Sequence, residues 1–130
     1  MKTAIALTTL VLALPLAACS EDEPVCGSVD DLKTSVDDVK DVDVTTDDDL
    51  TDLQSAMAAV EDDFADVKTD AKSEFAAPLD AVETSLAALR TSVEEATTAA
   101  SAPTLAAAGA ALSTFGTDVQ TLVDDIQSTC

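Results

Sequence analysis

Apolar residues recur along most of this chain at alternating steps of three and four. The first run is Val25, Val29, Leu32, Val36 and Val39. A second runs Leu50, Leu53, Met57, Val60, Phe64, Val67, Ala71, Phe75, Leu79, Val82, Leu86, Leu89, Val93, Ala96, and a third Leu105, Ala108, Leu112, Phe115, Val119, Leu122, Ile126. Such steps line up on one face of an α-helix, which turns once in about 3.6 residues. The pattern predicts an all-α fold of narrow apolar stripes. Polar residues supply the boundaries. Ser28, with Asp31 three residues on, has the form of an N-cap and capping-box variant. Thr46 is the expected N-cap of the second run, and Asp47, Asp48 and Asp49 then suit the positive end of the helix dipole. Ser101-Ala102-Pro103 opens the third run, because Pro fits the first turn of a helix.

The second run contains the one ambiguity of architecture. An interior Pro removes a hydrogen bond and clashes with the preceding turn, so Pro78 should kink or end a helix. Yet the stripe passes Pro78 in phase, and no Gly or Asn stop precedes it. The expectation is therefore three helices in antiparallel hairpins, the central one running from about residue 47 to 99 with a kink near Pro78. The alternative is an up-down four-helix bundle broken at Pro78. Pairs such as Val36/Leu53 and Leu32/Met57 share one index sum, and Leu112/Leu89 and Val119/Val82 share another. The outer helices can thus fold back on the two halves of the central stripe. Any mirrored three-four pattern gives constant sums, so the register is allowed rather than required.

Composition narrows the picture. The chain has 130 residues with 26 Asp and Glu against six Lys and Arg, a formal net charge of −20, and no Trp or Tyr. Phosphate backbones need Lys and Arg, so nucleic acid is excluded as a partner. Adsorption to anionic lipid headgroups is opposed for the same reason. With three Phe as its only aromatics, the core must consist of Val, Leu, Ile and Ala, and will be thin.

The first residues have a different character. Lys2 precedes an apolar run from Ala4 to Leu14, broken by Thr8 and Thr9, and Leu16-Ala17-Ala18-Cys19 closes it. The run is too short to span a membrane, which takes about 20 apolar residues. The four-residue close resembles the lipobox of bacterial lipoproteins. That resemblance implies a signal peptide over residues 1–18, cut by signal peptidase II, and a Cys19 carrying diacylglyceryl and palmitate-type acyl chains. It implies a lipidated tether over 19–25, a helical domain over 26–130, and a place outside the cytoplasm on the cell surface or in the periplasm. Two acyl chains give stable anchoring where one does not. Ser20 is not the Asp that some families read as inner-membrane retention, and the chain ends in Cys130 rather than the Lys used for cell-wall attachment. With Cys19 lipidated, Cys26 and Cys130 remain, and an oxidising compartment would pair them as a disulfide.

Little in the chain resembles a catalytic centre. There is no His, and abundant Ser and Thr have no base to activate them. Adjacent acids such as Asp30-Asp31, Asp62-Asp63 and Asp124-Asp125 fall on polar helix faces, whereas acid–base work needs a desolvated carboxyl. No enzyme activity and no cofactor are expected. Asp41, Asp43, Asp47 and Asp49, with Thr45 and Asp52, have a loose EF-hand-like spacing, but Thr46 replaces the hinge Gly and Asp52 the final Glu. They are weak metal candidates, and capping explains them with fewer assumptions. The Ala-rich stretch from Ala106 to Ala111, with Gly109, reads as a close-packing face. The chain therefore resembles small acidic all-helical lipoproteins. The expected function is a non-catalytic interaction or structural module of the cell envelope, held to the membrane by lipid and free to engage an envelope protein. Two alternatives are a lipoprotein holding a small apolar molecule between its helices and an acidic calcium- or ion-responsive module.

Overall fold

The computed structural model describes residues 24–71 and 73–130, so the lipobox and Cys19 lie outside the described residues. The described chain forms four α-helices: α1 (Pro24–Asp41), α2 (Asp47–Asp70), α3 (Ala76–Thr98) and α4 (Ala102–Gln127), with a 3-10 turn at Ser73–Phe75 leading into α3. Each helix packs against its neighbours in sequence, and α4 closes the ring against α1. The architecture is an up-down bundle, about 39 Å along its longest helix at ~1.5 Å per residue.

The three-helix expectation is corrected here. Lys68 on α2 pairs with Glu83 on α3 at 2.7 Å. In one continuous helix these residues would lie about 22 Å apart. Arg90 pairs with Glu61, and Gln54 Nε2 donates to Thr97 Oγ1 at 3.2 Å. These three bridges run in opposite directions along α2 and α3, as only an antiparallel hairpin allows. The chain reverses over residues 71–75 rather than at Pro78. Ala71 ends α2 in an extended conformation (φ −72°, ψ 144°), its N–H still donating to the Val67 carbonyl. No Gly is used and no described residue has a positive φ, so the stop left no mark in the sequence. Pro78 falls in the first turn of α3, where its missing N–H would have had no intrahelical partner. Pro78 therefore starts a helix instead of kinking one. The stripe keeps phase across the break because α2 and α3 face the same core, and buried Phe75 with half-buried Ala71 covers its end.

Two local expectations also change. Ser28 is not an N-cap: it lies inside α1, and its Oγ donates to the Pro24 carbonyl at 3.1 Å and to the Asp70 carboxylate at 2.6 Å. The α1–α2 hairpin is slid relative to the expected register. The index sum placed Ser28 level with Glu61, but Ser28 meets Asp70 and Ser35 donates to Asp63. Both pairs sum to 98 against the expected 89, and because a shift near one heptad keeps the three-four alternation almost in phase, the pattern alone does not distinguish the registers. The α3–α4 pairing stays near that expected: Phe75 and Pro78 share a surface recess with Asp125 and Ser128.

The core follows the stripes. All five apolar residues of the first run are buried, as are Leu50, Leu53, Val60, Val67, Val82, Leu89 and, on α4, Phe115, Val119, Leu122 and Ile126. Thr46 caps α2 and Ser101 caps α4, each in a capping box. Among the described residues the core runs from Val25 to Ile126. Cys26, in the first turn of α1, and Cys130, just past α4, form a disulfide with Cα atoms 6.2 Å apart across a sequence separation of 104. It joins α1 to α4 at the same end as the α2–α3 reversal.

A loop of this size removes much unfolded-chain entropy. Changing Cys26 and Cys130 together to Ser is expected to lower unfolding free energy by about 4–5 kcal/mol, read as a shifted denaturant midpoint. A loss under about 1 kcal/mol would show that the helices close without it.

Candidate functional site

The acidic turn between α1 and α2 is built around one carboxylate. The Oδ2 of Asp49 accepts from Thr46 N at 2.7 Å, Thr46 Oγ1 at 2.9 Å, and both N and Oγ1 of Thr45 at 3.1 Å. The backbone N–H of Asp49 returns a bond to Thr46 Oγ1 at 3.4 Å. Four donors on one oxygen surround it with positive dipole ends, the reverse of what a cation needs. They hold the Asp49 carboxyl below its ordinary value, the Thr46 hydroxyl first and the Thr45 and Thr46 backbone N–H groups next. Asp41 and Asp43 are exposed, and the side chain of Asp47 lies outside the described residues. Among the described residues no group of three or more Asp, Glu or Cys is gathered as a metal site. Of the residues that carried the EF-hand-like spacing, Asp49 and Thr45 do capping work, around Thr46.

The adjacent acids elsewhere follow the polar faces. Asp30, Asp31, Asp62, Asp124 and Asp125 are exposed, and Asp63, half-buried, accepts from Ser35. The one buried polar residue among those described is Ser85, whose Oγ donates to the Val82 carbonyl at 3.2 Å.

Two surface features remain. On α4, the close approach expected of the Ala-rich stretch lies one turn beyond it. Ala108 is buried, but Ala106, Ala107, Gly109 and Ala110 are exposed. Gly116 is the buried small residue, with the Lys40 side chain laid across it. A recess of about 560 Å³ beside it is lined by Lys40, Leu112, Ser113 and Thr117.

The second feature is the seam between α2 and α3. Two adjoining recesses of about 220 and 340 Å³ lie along it, and Glu61 and Arg90 line both. Met57, Phe64, Leu86 and Val93 form their apolar walls. Lys68 and Arg90 cross the seam to Glu83 and Glu61, and the Lys68 ammonium also sits 5.8 Å from the Phe64 ring centre. Sequence reasoning passed over these residues. Glu61/Arg90, Lys68/Glu83 and Gln54/Thr97 share one antiparallel index sum, a visible sign of a hairpin had the break been placed before Ala76.

No protein-family model matches this chain, and no curated protein or solved structure matches it. Fold and geometry define its class: an acidic four-helix bundle closed by a disulfide.

Two outcomes follow from this geometry. The lowered Asp49 carboxyl stabilises the cap above the unfolded-state value near pH 4, and that contribution is lost as pH falls through the folded value. Carboxyl NMR titration should place Asp49 below the ordinary Asp value, and Thr46→Ala, which costs about 1 kcal/mol, should bring it back toward that value. Gly109 is exposed, helical and has nothing within 4 Å of an added Cβ. Gly109→Ala should therefore raise unfolding free energy by about 0.5–1 kcal/mol, measured by urea titration.

Proposed function

We propose that the protein is a lipid-anchored, extracytoplasmic module of the cell envelope that works by contact rather than catalysis. Leu16-Ala17-Ala18-Cys19, at the end of a short apolar leader, carries the reading. The fold is consistent with it in two ways. First, α1 begins at Pro24, five residues after Cys19, so the start of the bundle lies within ~18 Å of an anchored Cys19. Second, the Cys26–Cys130 bond is what an oxidising compartment would form. The same end of the bundle carries the start of α1, the disulfide and the α2–α3 reversal. The opposite end, with the 42–46 and 99–101 connections, would then project away from the membrane. Acidic helix faces keep the body off anionic headgroups, leaving the acyl chains as the attachment. Among the described residues no helix is long and apolar enough to cross a membrane.

Non-catalytic action is inferred from the lack of His and from carboxylates that lie on solvated helix faces. Cell fractionation tests the anchor. Native chain is expected in the membrane fraction with an acylated N-terminus at Cys19 by intact mass, and Cys19→Ala in the soluble fraction. A native N-terminus elsewhere, or unchanged membrane association of Cys19→Ala, would overturn the anchor. Crosslinking in intact envelope tests the module: neighbours captured by the native chain should be lost with Cys19→Ala.

A further inference from the structure

The Cys26–Cys130 bond joins opposite ends of two helix dipoles. Cys26 is the third residue of α1, in the turn whose backbone N–H groups have no intrahelical partner. A helical side chain leans toward the N-terminus of its own helix, which carries the Cys26 sulfur toward those N–H groups. Cys130 lies three residues past the end of α4. The groups presented there are carbonyls: that of Gln127 accepts from Cys130 N at 3.2 Å, and that of Ile126 from Thr129 N at 2.9 Å. A thiolate is stabilised at a helix N-terminus and opposed at a C-terminus.

Exposure acts in the same sense. Cys130 is exposed, whereas Cys26 is half-buried and packed against the core. Thiol–disulfide exchange needs a thiolate to reach one sulfur while the other leaves as a thiolate. Both requirements assign the same roles, with Cys130 attacked and Cys26 leaving.

Charge at this end of the bundle selects the attacking thiol. Asp30 stands one turn beyond Cys26 on the same face of α1, and its carboxylate accepts from Gln127 Nε2 at 3.3 Å. The Asp70 carboxylate accepts from Ser28 at 2.6 Å. Glu74 and Asp125 line one recess with Ser128 and Thr129, and Asp124 is exposed beside them. Carboxylates thus converge from α1, α2, the 3-10 turn and α4. Against them Lys33 is two turns along α1 from Cys26, and the side chain of Lys72 lies outside the described residues. Such a field opposes the approach of an anion over roughly 10 Å at 0.1 M salt.

We propose that thiol exchange at this bond has a fixed direction: an incoming thiolate bonds to the Cys130 sulfur, Cys26 leaves as the thiolate, and the acidic surround favours neutral or cationic thiols over anionic ones. The mixed disulfide on Cys130 forms as the Cys26–Cys130 bond breaks. A second thiol then displaces Cys130. Two thiols are oxidised to one disulfide, the protein bond is reduced, and the two protons released by the thiols end on Cys26 and Cys130. In reverse the same path closes the bond, with Cys26 attacking a mixed disulfide held on Cys130. The inference rests on the bond and its surroundings and is independent of the anchor at Cys19.

The test uses the full native protein isolated from cells with the bond formed. Brief treatment with cysteamine, an acid quench and maleimide alkylation should give, by peptide mass mapping, cysteamine on Cys130 and maleimide on Cys26. The opposite placement, or equal amounts of both, would overturn the direction, and absence of any adduct would overturn the exchange itself. The thiolates of cysteamine, 2-mercaptoethanol and 3-mercaptopropionate are zwitterionic, singly negative and doubly negative. Rates per thiolate, each divided by the rate with a neutral model disulfide, are expected to fall in that order by roughly threefold or more a step at low salt, and to converge near about 1 M salt. Equal rates at low salt, or a spread that salt leaves unchanged, would overturn the charge selection. Asp30→Asn with Asp125→Asn, both on exposed positions, should narrow the spread while cysteamine still goes to Cys130. An unchanged spread would overturn the assignment to these carboxylates. Should that variant not fold, the salt dependence of the native protein decides.

Discussion

The disulfide between Cys26 and Cys130 ties the first turn of α1 to the end of α4, and the rest of the molecule is arranged around that closure. The core it encloses is made of small side chains. Leu32, Leu53, Leu89, Leu122, Ile126 and a series of Val residues fill it, with Phe115 the largest fully buried side chain. Burying one such aliphatic group contributes about 1.5–3 kcal/mol, and the entropy of ordering the chain opposes nearly all of it. A cross-link that shortens the unfolded ensemble acts on the opposing term directly, which is why it matters most where side chains are small. Its position has a mechanical effect as well. With the 71–75 connection at the same end, two hairpins share a fixed base and are held elsewhere by packing alone.

Charge is distributed to match. A net charge of −20 favours solubility and works against compactness through self-repulsion. Most of the described acids sit on exposed faces, and three of the cations are used between helices. Lys68 and Arg90 reach from one helix to the next, and Lys40 lies across Gly116 of α4. From Ala96 to Thr117 the chain carries no charge at all. This stretch includes the end of α3 and the first half of α4, at the end of the bundle opposite the disulfide. That end also carries the acidic turn from Asp41 to Asp49, so the uncharged stretch lies beside a cluster of acids.

The stripes of Val, Leu and Ala identified the core residues because burial in a helix obeys a local period, and any fold that buries one face must bury those positions. The caps at Thr46 and Ser101 were equally legible, since a cap is a contact between residues three apart. Cys26 and Cys130 were paired by elimination once Cys19 was given to lipid. The sequence misled at Pro78, at Ser28 and in the α1–α2 register. Pro tolerates the first turn of a helix as well as it disrupts an interior one, so the residue itself does not say which it occupies. The stop at Ala71 uses ordinary extended backbone, and no residue type marks that conformation. Capping and coordination both recruit Asp at short spacing, so the acidic turn carried a weak metal signal beside the favoured capping one, and at Asp49 four donors turn onto a single carboxylate oxygen.

What the chain determines locally is therefore helix content, the buried face of each helix and where two helices begin. What the tertiary structure decided is how many helices there are, how far each slides against its neighbour, and that Lys68 and Arg90 meet Glu83 and Glu61 across the α2–α3 seam. The division has one physical cause. Periodicity and capping act within a turn or two of the backbone. Register and chain reversal are set by packing between segments, where a slide of seven residues leaves every stripe in phase and only the fit of particular side chains tells one arrangement from another.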